Sequence, residues 1–143
     1  MNAIEIIERI KKGENMHTEF KEKIDSNEEL AKDIVCFANT DGGQIFVGVN
    51  KKGIIVGVDD IDILSNRIDD VAFNRCEPPV SVVIETVDID AKTVLIMNVP
   101  KGDQKPYRTA SGSYYIRSAI RCRQASRQEL LRLFQATESV TVA

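Results

Sequence analysis

The sequence predicts an α+β domain with about four helices and a sheet assembled largely from hairpins. Three observations carry this expectation. Apolar stripes at helical spacing begin after capping residues at several points along the chain. Runs rich in β-branched residues fall between them and are joined by short turns containing Gly, Asn or Asp. The order of elements shows no sustained strand–helix–strand alternation, so a doubly wound parallel sheet is not expected.

Taken in order, Asn2 with Glu5 three residues on caps a helix expected over residues 3–12. Its stripe is Ile6, Ile7 and Ile10, and Gly13 ends it. A short extended segment follows at about 18–24. Ser26 with Glu29 forms a capping box, and Leu30, Ile34, Phe37 and Ala38 then recur as one buried helical face. The run Asn39-Thr40-Asp41-Gly42-Gly43 stops that helix. Residues 44–49 and 54–58 are expected to form a hairpin across Asn50-Lys51-Lys52-Gly53. A third helix is expected over 61–75, up to the break at Pro78-Pro79. Residues 80–89 and 93–99 predict a second hairpin across Asp90-Ala91-Lys92. A third is expected from short strands at 107–109 and 114–117, turning at Ser111-Gly112-Ser113. Ser126 and Glu129 open a last helix with Leu130, Leu131, Leu133 and Phe134. Domain boundaries of 1–136 are expected, with 137–143 as a frayed tail or linker.

The 143 residues suit one domain, and 43% hydrophobic with 29% charged residues suits a packed core. No run approaches the roughly 18 apolar residues of a membrane span, and the N-terminus alternates apolar with charged residues, unlike a signal peptide. A cytoplasmic location is therefore expected. Cys36, Cys76 and Cys122 are widely spaced and form no C-x-x-C pair. They read as small buried hydrophobes in a reducing compartment, with neither a disulfide framework nor a zinc site.

The net charge of −3 conceals an asymmetry. Residues 1–100 carry a net −8, whereas 101–132 hold eight Lys/Arg against Asp103 and Glu129 alone. Such a segment suggests a local electrostatic footprint. Within it Lys101, Lys105, Arg108, Arg117, Arg121 and Arg123 interleave with Tyr107, Tyr114 and Tyr115. Arginine binds phosphate bidentately, and tyrosine stacks on an exposed base. Strand alternation puts Tyr115 and Arg117 on one face and Tyr114 and Ile116 on the other.

Other chemistry is sparser. No G-x-x-x-x-G-K-[ST] loop occurs, and Gly42-Gly43 sits at a helix C-terminus, whose dipole repels phosphate. Glu14, Glu19 and Lys21 flank the first strand, and two acids with a lysine suit metal-assisted hydrolysis, although on spacing alone a surface ion pair is the favoured explanation. His17 is the single histidine, with no nucleophile arrangement evident around it.

The segments Glu19-Phe20-Lys21, residues 35–49 from Val35 through Asn39, Gly43 and Gly48, residues 53–58, and Tyr114-Tyr115-Ile116-Arg117 with Arg123 to Phe134 together resemble the Schlafen/Alba-like DNA-binding domain family, Schlafen AlbA_2. The resemblance covers about residues 14–134. It implies an Alba-like core of mixed and antiparallel strands. It also implies the N-terminal module of bacterial or archaeal transcriptional regulators, there often followed by a winged-helix region, and a homodimer. Schlafen relatives that cut RNA use three carboxylates. Glu14 and Glu19 match the first two, but Asn50 and Lys51 stand where the third is expected, and lysine repels a metal. The leading expectation is thus a non-enzymatic module that binds DNA, rather than RNA, through Lys105, Arg108, Arg117, Arg121, Arg123 and Tyr115, with no cofactor. A nuclease using Glu14, Glu19 and Lys21 with magnesium or manganese comes second, and a protein-interaction domain third.

Overall fold

A computed structural model describes the backbone of residues 1–142 and the side chains of 1–136. The core is a four-stranded sheet in the order β1-β2-β5-β4, formed by β1 (Thr18–Lys21), β2 (Gly43–Val47), β4 (Val83–Ile89) and β5 (Lys92–Val99). Strand alternation divides its side chains between two layers. Ile45, Val47, Leu95 and Met97 face one side, where helices α2 (Asn27–Ala38) and α3 (Ile61–Asn74) bury Leu30, Ile34 and Ile68 against them. Phe20, Phe46, Val94 and Ile96 face the other, covered by Ile6 and Ile10 of α1 (Ala3–Lys11). Both faces of β2 are therefore buried, which is why its run is continuously apolar.

The expected caps form. Asn2 Oδ1 accepts from the Glu5 amide, Ser26 Oγ accepts from the Glu29 amide, and Ser126 and Glu129 bond reciprocally. The last of these opens α4 (Arg127–Val142). Its backbone is helical through residues 137–142, where a tail or linker was expected, and Ala143 lies outside the described residues.

The fold is α+β, but three pairings differ from expectation. The 44–49/54–58 hairpin does not form. β2 instead lies parallel to β1, the two joined through α2, and antiparallel to β5. Residues 54–58 keep only the Val49↔Ile55 bridge. The chain turns aside at Gly48 (φ +99°), where a Cβ would lie 3.0 Å from the Gly57 backbone, so no regular second strand can follow. The 83–89/92–99 hairpin forms as expected, with Asp90 and Ala91 at positive φ in its turn. The third expected hairpin divides. β6 (Arg108–Thr109) pairs with β3 (Cys76–Glu77), while β7 (Tyr115–Ser118) pairs with β8 (Arg121–Gln124).

The cysteine expectation is overturned for two of three. Cys36 on α2 and Cys122 on β8 form a disulfide across 86 residues of sequence. Sequence spacing hid this because the tertiary fold alone brings α2 and the β7–β8 hairpin together. Cys76 remains free and buried, and burial pushes its thiol up to about 12. Among the described residues no helix is long and apolar enough to cross a membrane.

Candidate functional site

Arg117, Arg121 and Arg123, which the structure places on the β7–β8 hairpin, were expected to contact a nucleic acid, and the structure uses two of them otherwise. Arg117 points inward. Its side chain is 0% exposed and lies over the Phe37 ring. Nη1 donates to Glu19 Oε2 at 3.3 Å, and Nη2 donates to the carbonyls of Asn15 (2.9 Å) and Thr18 (3.0 Å). Tyr115, on the same strand face, packs on the α2 side of the core under Lys32. The predicted alternation is therefore correct, and Tyr114 on the other face meets Phe134 edge-on. The predicted direction is wrong for Arg117, because the face it shares with Tyr115 is the one that closes on α2 and β1. Arg123 forms a fork onto both Glu129 oxygens at 2.8 Å, which holds that carboxyl down at about 2 with help from Ser126. Its charge is spent on the start of α4.

The remaining cations are exposed at Lys101 and Arg121 and half-buried at Lys105 and Arg108. Arg121 is exposed at the hairpin turn and has no ion partner among the described residues. Thr40, just past the end of α2, accepts from Lys105 Nζ on its carbonyl (3.1 Å) and from the Arg117 amide on its hydroxyl (2.9 Å). Burial and the neighbouring charge of Lys101 hold the Lys105 ammonium below its ordinary value, against the pull of Asp41. Lys105 and Lys101, the latter paired with Asp41 at 3.7 Å, thus border the C-terminal end of α2. Arg108 stands apart, opposite Glu77 in the β3–β6 ladder. Asn39 fixes this edge. Its Nδ2 donates to the carbonyls of Tyr107 (2.7 Å) and Tyr115 (2.9 Å), and its Oδ1 accepts from the Tyr107 amide (2.6 Å). Sequence reasoning treated Asn39 only as a turn residue.

Glu14 and Glu19 do converge. Lys51 Nζ lies between them, 2.8 Å from Glu14 Oε2 and 3.4 Å from Glu19 Oε1. Burial and the hydrogen bond with Glu14 push Glu19 up to about 7, against the charges of Lys51 and Arg117. Burial also acts to raise Glu14, but hydrogen bonds from Glu19, Lys51 and the Phe20 amide outweigh it and leave Glu14 below the usual range. Lys21 is not part of this group: it bonds the buried Asp33 at 3.1 Å. Burial lifts Asp33, and Lys21 only partly offsets that. A divalent cation does not fit here as the residues stand. An ammonium holds the space between the two acids, a buried guanidinium takes the other oxygen of Glu19, and among the described residues no cluster of three His, Cys, Asp or Glu side chains is placed to hold a metal ion.

Comparison with known proteins assigns this arrangement to a family. The model of the Schlafen, AlbA_2 family matches residues 14–126. The chain belongs to the Schlafen AlbA_2 family. A comparison with curated proteins finds no match. Among solved structures, the DIP2311 protein of Corynebacterium diphtheriae is similar at 26% identity and a TM-score of 0.62, over 85% of this chain and 24% of that one. This AlbA_2 chain thus spans about a quarter of that protein's length. The N-terminal domain of a RecG-related protein of Nitrosomonas europaea, whose name relates it to an ATP-dependent DNA helicase, is similar in fold at 22% identity and a TM-score of 0.64, over 77% of this chain and 81% of that one.

Proposed function

We propose that the domain is a non-enzymatic nucleic-acid-binding module, with DNA as the favoured partner, working within a cytoplasmic transcriptional regulator as a homodimer. The observation that carries this reading is the exposed Arg121 at the β7–β8 turn, which has no ion partner among the described residues; Lys101 and Lys105, bonded to Asp41 and to the Thr40 carbonyl beyond the end of α2, add to the charge of this part of the chain. AlbA_2 membership and the likeness to the RecG-related domain support it. Arg117 and Arg123 contribute indirectly. They pin the hairpin that displays Arg121, one to Glu19 and the β1 loop, the other to α4. Phosphate contact by a few cations gives weak sequence preference and strong salt dependence.

The test is binding to labelled duplex DNA, single-stranded DNA and structured RNA across a salt series, with chelator present. Two to three phosphate contacts predict a log–log slope of roughly −2 to −3 on duplex, and Arg121→Ala flattens it by about one. Arg108→Ala leaves the slope unchanged. Absence of binding at low salt overturns the reading and favours an acidic protein partner instead.

Nuclease action remains the second reading, because Glu14 and Glu19 meet in space. Lys51 counts against it. Probe degradation dependent on manganese and lost in Glu19→Ala would put it first.

A further inference from the structure

One recess lies apart from the Glu14–Glu19 pair and adjoins Lys101 through Pro100. It is a cleft of about 440 Å³ where β2 and β5 meet α1 and the loop before β1. Arg9 and His17 line it together with Gln44, Ser81 and Asn98, and Val83 and Pro100 give it an apolar wall. No Asp or Glu lines it.

Arg9 makes no ion pair among the described residues. One of its N–H groups, on Nη1, donates to Gln44 Oε1 at 2.9 Å. Gln44 is held in turn, since its Nε2 donates to Asn98 Oδ1 at 2.9 Å. Asn98 Nδ2 donates to Glu85 Oε1 at 2.9 Å, and the Met1 ammonium bonds the other oxygen of Glu85. This relay fixes the guanidinium through a neutral amide and leaves its charge and remaining donors uncompensated. A guanidinium oriented but not neutralised is suited to bidentate capture of an anion. Gly43 lets the second donor approach: a Cβ there would lie 2.7 Å from both the His17 carbonyl and the Phe37 ring, so only bare backbone lets the His17 loop close on β2. The volume falls within the range of small-ligand sites.

We propose that this cleft binds a phosphomonoester carried on a nucleoside. Arg9 and His17 take the phosphate, Ser81 contributes a hydroxyl, and the sugar or base lies against Val83 and Pro100. Two sources carry this chemistry, a free nucleoside monophosphate and the 5′-terminal phosphate of a strand. Pro100 adjoins Lys101, so a strand lying along the basic edge would end at the cleft. The strand source rests on the nucleic-acid-binding reading, whereas the free nucleotide does not.

The experiment pairs two measurements on the intact chain. Amide resonances are followed during titration with adenosine 5′-monophosphate, with adenosine as control. Anisotropy then compares 5′-phosphorylated with 5′-hydroxyl single strands. Binding at the cleft moves Gly43, Gln44 and Val99 with the monophosphate but not with adenosine, and Arg9→Ala abolishes the shifts. A strand-end site gives about tenfold preference for the 5′-phosphate, lost in Arg9→Ala, while Arg121→Ala weakens both strands equally. Shifts without that preference assign the free nucleotide. Arg9→Lys keeps the charge without the fork and retains part of the effect, so it serves if Arg9→Ala loses its fold. Neither shifts nor preference, or shifts that persist in Arg9→Ala, overturns the proposal. Binding of the 5′-hydroxyl strand reports separately on the basic edge.

Discussion

Replacing Glu19 with glutamine removes a buried carboxyl whose ionisation the fold opposes, and pH dependence of stability should reveal it. In the folded protein Glu19 titrates at about 7. An unfolded glutamate titrates near 4.3. Between these values the folded state holds a proton that the unfolded state has lost, so stability falls as pH rises through this window. At about 1.4 kcal/mol per unit, the gap sets an upper limit of roughly 3.7 kcal/mol. Glu14 opposes it. Its carboxyl lies below the usual range, so it adds stability above the unfolded value and loses it as pH falls. That contribution is complete by pH 5 and constant above it, so the change between pH 5 and 8 belongs to Glu19 and is at most about 2.5 kcal/mol. The assay is urea unfolding followed by far-UV circular dichroism at pH 5, 6, 7 and 8, because the chain has no tryptophan. Glutamine resembles the protonated acid and still accepts a hydrogen bond from Arg117. The variant should match the wild type at pH 5 and exceed it by up to about 2.5 kcal/mol at pH 8. Asp33 and Lys105 titrate in both proteins and cancel from the difference. A difference independent of pH, or one that grows toward acid, would refute the reasoning.

Three further outcomes follow from the packing. Arg117→Met strips donors from Glu19 and from the Asn15 and Thr18 carbonyls, and should cost about 3–5 kcal/mol in urea unfolding; a loss below about 1 kcal/mol would mean that the buried guanidinium is dispensable. Cys122→Ser removes a cross-link spanning 86 residues and should lower stability by about 2–4 kcal/mol, as should dithiothreitol on the wild type, with no further effect of reductant on the variant. Gly43→Ala drives a methyl into the His17 carbonyl and the Phe37 ring, and a drop of about 1–3 kcal/mol in thermal or urea unfolding is expected.

The parts of the fold legible in the sequence were those set by local physics. Capping side chains at Asn2, Ser26 and Ser126 announce helix starts because their partners lie three residues away. The Asp90-Ala91-Lys92 turn announces its hairpin for the same reason. Strand partners were not legible where the turn is not local. Nothing within 44–58 states that β2 belongs between β1 and β5, although its unbroken apolar run, Ile45-Phe46-Val47, carries the signature of a strand buried on both faces. Residues 54–58 alternate between exposed and partly buried positions, which fits a segment outside the sheet.

The site was misread through charge. A count of arginines cannot distinguish one that meets solvent from one that meets a carboxylate 98 residues away, as Arg117 does. A signal was nonetheless present. Arg117 shares its strand face with Tyr115, and a strand packed on a helix has only one wet face. Choosing that face required knowing that Cys122, on the paired strand, reaches Cys36 on α2, which spacing does not disclose. The Lys51 substitution was the opposite case. Its position in the chain predicted interference with a metal, and its ammonium does lie between the two acids. One lysine thus stabilises a pair of carboxyls that would otherwise repel, and in doing so it occupies the position from which a cation could act. The same residue favours a fold in which Glu14 and Glu19 anchor structure rather than hold a metal.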